Sequence, residues 1–399
     1  MTSLPPSKRA RLSLAEGSLS APRLSPCAAL SPAEDVLSIP YLSQRSVMSF
    51  LRQSEALPLR AASRACRDAV AEHAWDDLDT GESRILSCRT AAWRRCFPRA
   101  RAANLSDSGA CDADLAPLAG VRRVDLSRCL GLTDAGLAQL AGLQTLIMVG
   151  CTQPSLTDAA FAPLGGSLRE LHMQGCSQAS LTDGAFAPLG GLLKLHMDDC
   201  TQASISDAAL APLRSLRELS LSRCAQPGLA RLARLPQLHT LRAVGCASLT
   251  DEALSALPSL RRLNISRCAR ITDGGLAHLA GGLQELRMSG CAGISDAGMA
   301  HLRGIRRLYM SGCARLTDAA LEHLRGIHTL DMDGCTQITA AGLTHLLGVH
   351  TLWMEGCTGV RDAGLIHLRR TRLLRAKGCP QLSEEALREL QTHGTVVEW

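Results

Sequence analysis

The sequence predicts an α/β solenoid, a curved right-handed horseshoe in which short parallel strands alternate with short helical segments. Three observations predict it. Twelve cysteines (Cys129, Cys151, Cys176, Cys200, Cys224, Cys246, Cys268, Cys291, Cys313, Cys335, Cys357 and Cys379) recur mostly 22 residues apart and never more than 25. Each closes a phrase that varies about L-x-x-L-x-L/M-x-x-C, as in Leu283-Gln284-Glu285-Leu286-Arg287-Met288-Ser289-Gly290-Cys291. Most are followed by Thr/Ser-Asp and then L-x-x-L, as in Thr317-Asp318-Ala319-Ala320-Leu321-Glu322-His323-Leu324.

Each part of the phrase has a physical role. L-x-L is a strand fragment, because side chains alternate between faces and both leucines then point inward. The cysteine stands where the chain leaves the strand. There a small, mostly apolar side chain packs under the turn and its weak S–H meets a carbonyl. Thr or Ser before Asp is a helix N-cap, and L-x-x-L turns one helical stretch toward the core. A period in this range with leucines at these offsets is that of a leucine-rich repeat. No such repeat buries its apolar face alone, so stacking supplies the core.

Along the chain, residues 1–33 are rich in Pro, Ser and Arg and are expected to form a disordered tail. It carries a basic cluster at Lys8, Arg9 and Arg11 and Ser-Pro pairs at Ser25 and Ser31. Residues 34–78 read as a small helical unit: Val47, Phe50 and Leu51 fit one helix face, and Leu59, Ala62, Cys66 and Val70 another. Pro58 would sit in the first turn of the second helix. Residues 79–102 form a linker, with Trp93 and Phe97 packing at the join. The solenoid spans 103–399, opening on a degenerate repeat near Leu105 and closing on a strand at Val396-Val397-Glu398. The repeat after Cys224 replaces Thr-Asp with Pro227-Gly228-Leu229 and is the least regular.

Composition narrows the function. No apolar run reaches the length of a membrane span, and the N-terminus lacks the apolar core of a secretory signal. An odd total of 17 cysteines, twelve at one repeat position, points to free thiols in a reducing cytoplasmic or nuclear compartment. Without a C-x-x-C pair, a phosphate-binding Gly-rich loop, a nucleophile elbow or H-E-x-x-H, no catalytic residue, metal or cofactor is expected. Interleaved acids and an aromatic content of 3% weigh against nucleic acid as partner. Of 43 basic residues only Lys8, Lys194 and Lys377 are lysine. Codon bias in a GC-rich genome is the plain account; escape from ubiquitin attachment, which needs lysine, is the sharper one.

The helical unit resembles an F-box. The matching residues are Ile39-Pro40, Val47-Met48-Ser49-Phe50-Leu51, Leu57, Ala62-Ser63-Arg64-Ala65-Cys66-Arg67 and Trp75, with Cys66 where the family usually has tryptophan. An F-box directly before cysteine-containing leucine-rich repeats is a known domain order. The resemblance implies a substrate receptor of a Skp/cullin/F-box ubiquitin ligase, with a Skp-type adaptor and a cullin as partners and a protein substrate on the repeats. Pro40, Val47, Leu51, Leu57 and Trp75 would build the unit or face the adaptor. Periodicity alone supports a non-catalytic binding scaffold, whose N-terminal helices would merely cap the solenoid.

Ligands of such solenoids usually bind the strand residues that do not point inward. The position between the two leucines reads Asp125, Ile147, His172, His196, Ser220, Arg242, Asn264, Arg287, Tyr309, Asp331, Trp353 and Arg375. Flanking positions add Arg262 and Arg307, then Asp333 and Glu355, then Lys377. Arg242, Arg287, Arg307, Tyr309, Asp331, Asp333, Trp353 and Glu355 are therefore the candidate substrate-binding residues. Tyr, Trp and Arg are common interface anchors, and the chain has only two tyrosines and four tryptophans. Tyr309 and Trp353 sit two strands apart, roughly 10 Å at sheet spacing. His172 and His196, on neighbouring strands, underfill a zinc site. The histidines His278, His301, His323, His345 and His367 recur on the helical side, where duplication accounts for them.

Overall fold

The computed structural model describes residues 53–62, 64–76, 78, 85, 89–224, 232 and 235–399. Pro40, Val47 and Leu51, the basic cluster at Lys8, both Ser-Pro pairs and the irregular stretch at Pro227 lie outside the described residues. Leu57 falls on a described helix, but its side chain does not belong to the described set.

Within the described residues the strands form one 14-stranded open sheet in sequence order, from β1 (Ala102–Asn104) to β14 (Val396–Glu398). Every neighbour is parallel and in step, residue for residue, as in Leu308 opposite Leu286 and Leu330. The middle residue of each strand is buried, except for the partly buried Val397 of β14, and the outer two give the inner face of the horseshoe its chemistry. Strands stack at about 4.8 Å, closer than helical segments pack, so the sheet takes the inside of the curve.

The buried leucines, methionines and cysteines form a single continuous core along the repeats. All twelve repeat cysteines are buried free thiols. Each reaches back to a carbonyl of the preceding repeat, as Cys291 Sγ donates to Ile265 O at 3.1 Å and Cys357 Sγ to Met332 O at 3.1 Å. The preceding turn needs a left-handed residue, supplied by Gly312 (φ 67°) before Cys313.

The Thr/Ser-Asp pair does more than cap. Thr317 Oγ1 accepts from Ala319 N at 3.3 Å, as expected of an N-cap. Its own N–H and O–H are both taken by Asp296 of the preceding repeat, at 2.9 and 2.6 Å. The same clasp joins Asp134 to Thr157, Asp273 to Ser295 and Asp362 to Ser383. Helical segments vary with local sequence. The segment containing Pro163 and those ending two residues before Pro188 and Pro212 have 3-10 rather than α geometry. Proline there removes an amide and clashes with the preceding turn.

At the N-terminal end, α1 (Gln53–Ala62) and α2 (Arg64–Glu72) are separate helices. The expected face Leu59, Ala62, Cys66 and Val70 therefore spans two helices, and Pro58 lies inside α1 rather than in a first turn. Gln53 and Ala56, both buried, extend the face upstream at three-residue steps, a signal carried by residues too small or too polar to read as core. Trp75 is 1% exposed and meets Phe97 edge-on at 5.7 Å. Trp93, on α3 (Thr90–Cys96), packs against both this cluster and the repeat core, as the join predicts. Gln53 Nε2 donates to Ala102 O at 3.0 Å, tying α1 to β1.

Candidate protein-binding face

Sheet register brings the outward residues of the later repeats into rows. Along one row Arg287, Tyr309, Asp331, Trp353 and Arg375 stand on consecutive strands, each directly opposite the next. Their side chains then interlock. The Tyr309 and Trp353 rings approach to 5.8 Å between centroids at 57°, rather than standing two strand spacings apart. The guanidinium of Arg287 lies over Tyr309 at 4.3 Å and that of Arg375 over Trp353 at 5.2 Å. Two aromatics are thus held between two cations, an arrangement their negative ring faces favour.

Asp331 lies on the strand between the rings and is 9% exposed. Such burial demands partners: its Oδ1 accepts from Ser311 Oγ at 2.6 Å and from Asp333 N at 3.1 Å. Asp333 in turn accepts from Glu355 N at 2.6 Å. Burial, with the nearby charges of Asp331 and Glu355, pushes the Asp333 carboxyl up to about 6. The lobe is therefore acidic, and one of its acids titrates near neutrality. The Trp353 indole N–H is closed off from solvent without a hydrogen-bond partner, an unmet donor that costs stability.

The basic side is paired through a residue that sequence reasoning missed. Glu285, one-sixth exposed, holds Arg287 at 3.0 Å and Arg307 at 3.4 Å. Its signal was present: it stands at the other outward position of the strand bearing Arg287 and directly opposite Arg307. Arg242 stands two strands from Arg287, yet both line one concavity with Arg262 and Asn264. The structure thus gathers Arg287, Arg307, Tyr309, Asp331, Asp333, Trp353 and Glu355 into one strip and sets Arg242 at its basic end.

Of the F-box-like residues, Trp75 is enclosed in the N-terminal cluster and offers no surface; its indole donates to Val70 O at 2.9 Å. The His172 and His196 rings lie 4.5 Å apart between centroids, tilted by 54°. Glu170, bonded to His172 at 2.9 Å, is held down to about 2, chiefly by that hydrogen bond and then by Lys194. Burial and the neighbouring His172 push His196 down. No group of three or more metal-ligating side chains occurs among the described residues. No described helix is long and apolar enough to cross a membrane.

Comparison with known proteins bears on the fold. Residues 256–280 match the family described as Leucine Rich repeat. No curated protein matches the chain by sequence. An internalin (inlF) from Listeria monocytogenes superposes with a TM-score of 0.56 at 16% identity, covering 75% of this chain and 86% of that one. A chain of the yeast Rad7 and Elc1 complex gives 0.48 at 17% identity, with coverages of 75% and 80%. A chain of the TLR13–ssRNA13 complex gives 0.48 at 16%, covering 74% of this chain and 45% of that one. At 16% identity the likeness to the internalin is one of fold. The chain is a solenoid of the leucine-rich-repeat fold.

Proposed function

We propose that the chain is a non-catalytic receptor that holds a protein target on the inner face of its repeats and serves as the substrate-binding subunit of a Skp/cullin/F-box ubiquitin ligase. The observation that carries the binding reading is the strip from Arg287 to Arg375. It concentrates two of the chain's six Tyr and Trp residues between cations and beside an acidic lobe. A segment with both charge signs around an apolar anchor fits it, the aromatics giving affinity and the charges register. The ligase role rests on the F-box resemblance of residues 34–78, and works by effective concentration: a bound target is held near the conjugating enzyme. Co-purification tests it. Wild type should capture a Skp-type adaptor and a cullin, and Val47→Asp or Leu51→Asp should lose both.

A second reading is a scaffold without a ubiquitin role. It is favoured by the way Gln53, Trp75 and Trp93 tie the N-terminal helices to the first strand, as an end cap would. Trp93 Nε1 donates to Gln53 Oε1 at 3.0 Å, and the Trp75 carbonyl accepts from Arg101 N at 2.7 Å. Wild type that captures no adaptor selects this reading.

A further inference from the structure

In sequence the repeats mix acids with arginines, but the fold sorts them to opposite edges of the sheet. Most helical segments open on an Asp just after the chain leaves a strand, as Asp296–Met299 and Asp318–Glu322 do. They end near the start of the next strand, where a helix terminus favours cations, and Arg303 and Arg325 stand there. The residue immediately before each strand completes that edge. In the later repeats it reads Arg261, Gln284, Arg306, His328, His350 and Arg372, and before none of the fourteen strands is it an acid.

Backbone bonds hold these residues in one row. His328 N donates to Arg306 O and His350 N to His328 O, both at 3.0 Å. Arg261, Arg306, Arg325 and Arg372 are exposed, and among the described residues no carboxylate pairs with them. The His328 and His350 rings stack at 4.5 Å between centroids and 15°. Nδ1 of each meets the hydroxyl of the threonine that follows it, at 3.1 and 3.2 Å. That pairing leaves Nε2 of both rings for a ligand.

We propose that this edge docks on the sugar–phosphate backbone of a nucleic-acid duplex. From Arg261 to Arg372 is five strand steps, roughly 24 Å, the length of about seven base pairs. Arginine forks match phosphate geometry, and backbone contacts of this kind position a duplex without reading its sequence. A protein partner would draw its affinity from apolar anchors. The row has none, and Leu347 is the one exposed large hydrophobic in the turns beside it. A single strand would need aromatic faces for its bases, and the row holds no Phe, Tyr or Trp. A duplex needs neither, because its bases are already stacked and its outer surface is phosphate. Gly304, Gly326 and Gly348 close the adjoining turns at positive φ, with no other atom within 4 Å of where a side chain would begin, so a bulky backbone meets no obstruction there. Duplex docking requires neither the aromatic strip nor the N-terminal helices.

The test uses the full chain and a fluorescein-labelled DNA duplex of mixed sequence and about 24 base pairs, titrated by anisotropy between about 50 and 200 mM salt. The slope of log K against log salt should be about −3.5 to −4.5, the value for about four or five phosphate contacts. Arg306→Glu with Arg372→Glu should weaken binding at least about tenfold at an unchanged melting temperature. Arg306→Gln with Arg372→Gln should lose less, and decides the matter if the Glu pair melts early. Arg267→Glu with Arg270→Glu makes the same charge change beyond the other ends of the strands and should cost under about threefold, since distant exposed charges are screened. No binding at about 50 mM salt, equal losses from the two edges, or tighter binding of the single strand would overturn the inference. So would equal affinity for polyglutamate of matched charge, which would make the edge a docking surface for acidic protein.

Discussion

Tyr309 and Trp353 are 44 positions apart in sequence and two strands apart in the sheet, yet their rings lie 5.8 Å apart over the intervening Asp331. The cluster is therefore pre-assembled, and the aromatics lose little freedom when a ligand arrives. The pair should show a coupling of about 0.5–1.5 kcal/mol in a double-mutant cycle of Tyr309→Ala and Trp353→Ala followed by urea melts. Strictly additive effects would mean that the rings do not support one another.

Asp333 gives the acidic lobe a pH response. Its folded carboxyl titrates at about 6 against an ordinary value of 3.8, so the folded state holds the proton more tightly than the unfolded one. Stability from this group therefore rises as pH falls from about 6 toward 4 and is constant below that, while ionisation above pH 6 opposes folding. Asp333→Asn should stabilise the protein at pH 7 by on the order of 1 kcal/mol, reduced from the full shift because the carboxyl keeps solvent contact. Thermal melts between pH 4 and 7 check this: the variant should lose that slope. A cationic target segment should correspondingly bind wild type more weakly below pH 6.

The buried thiols should be chemically silent. Burial pushes Cys335 and Cys357 up to about 12, so neither is a thiolate at neutral pH. Brief alkylation of the native protein, read by peptide mass, should label exposed Cys111 and leave the twelve repeat cysteines unmodified until denaturant is added. Cys291→Gln should cost about 3 kcal/mol or more, since a larger polar group would lie against the Ile265 carbonyl in a closed turn.

The Asp-to-Thr clasp should contribute to stability although it stands at the surface end of each repeat. Asp296→Ala leaves the Thr317 N–H and hydroxyl without their shared acceptor. A loss of about 1–3 kcal/mol in a denaturant melt is expected. Asp296→Asn should recover part of it, because Oδ1 still accepts from the amide.

Much of this was legible before the structure. Strand register followed from the L-x-L phrase because a two-residue period fixes which side chains share a row, and the closing strand at Val396 followed from the same pattern. The clasp did not, because Thr317-Asp318 satisfies a local capping rule and hides that each Asp also serves the next repeat. The closeness of Tyr309 and Trp353 was missed for a related reason: strand spacing sets backbone separation, whereas long side chains lean. Glu285 went unread because salt-bridge partners across strands depend on rotamers. In the N-terminal region, Gln53 and Ala56 extend a helix face that large hydrophobics alone do not outline.

One measurement tests the central claim most directly. Affinity purification with quantitative mass spectrometry would compare wild type, Trp353→Ala combined with Arg307→Glu, and Val47→Asp combined with Leu51→Asp. The first double variant should lose the captured target while keeping a Skp-type adaptor and cullin, and the second should keep the target while losing both. Retention of every target by the inner-face variant, at unchanged melting temperature, would contradict the account.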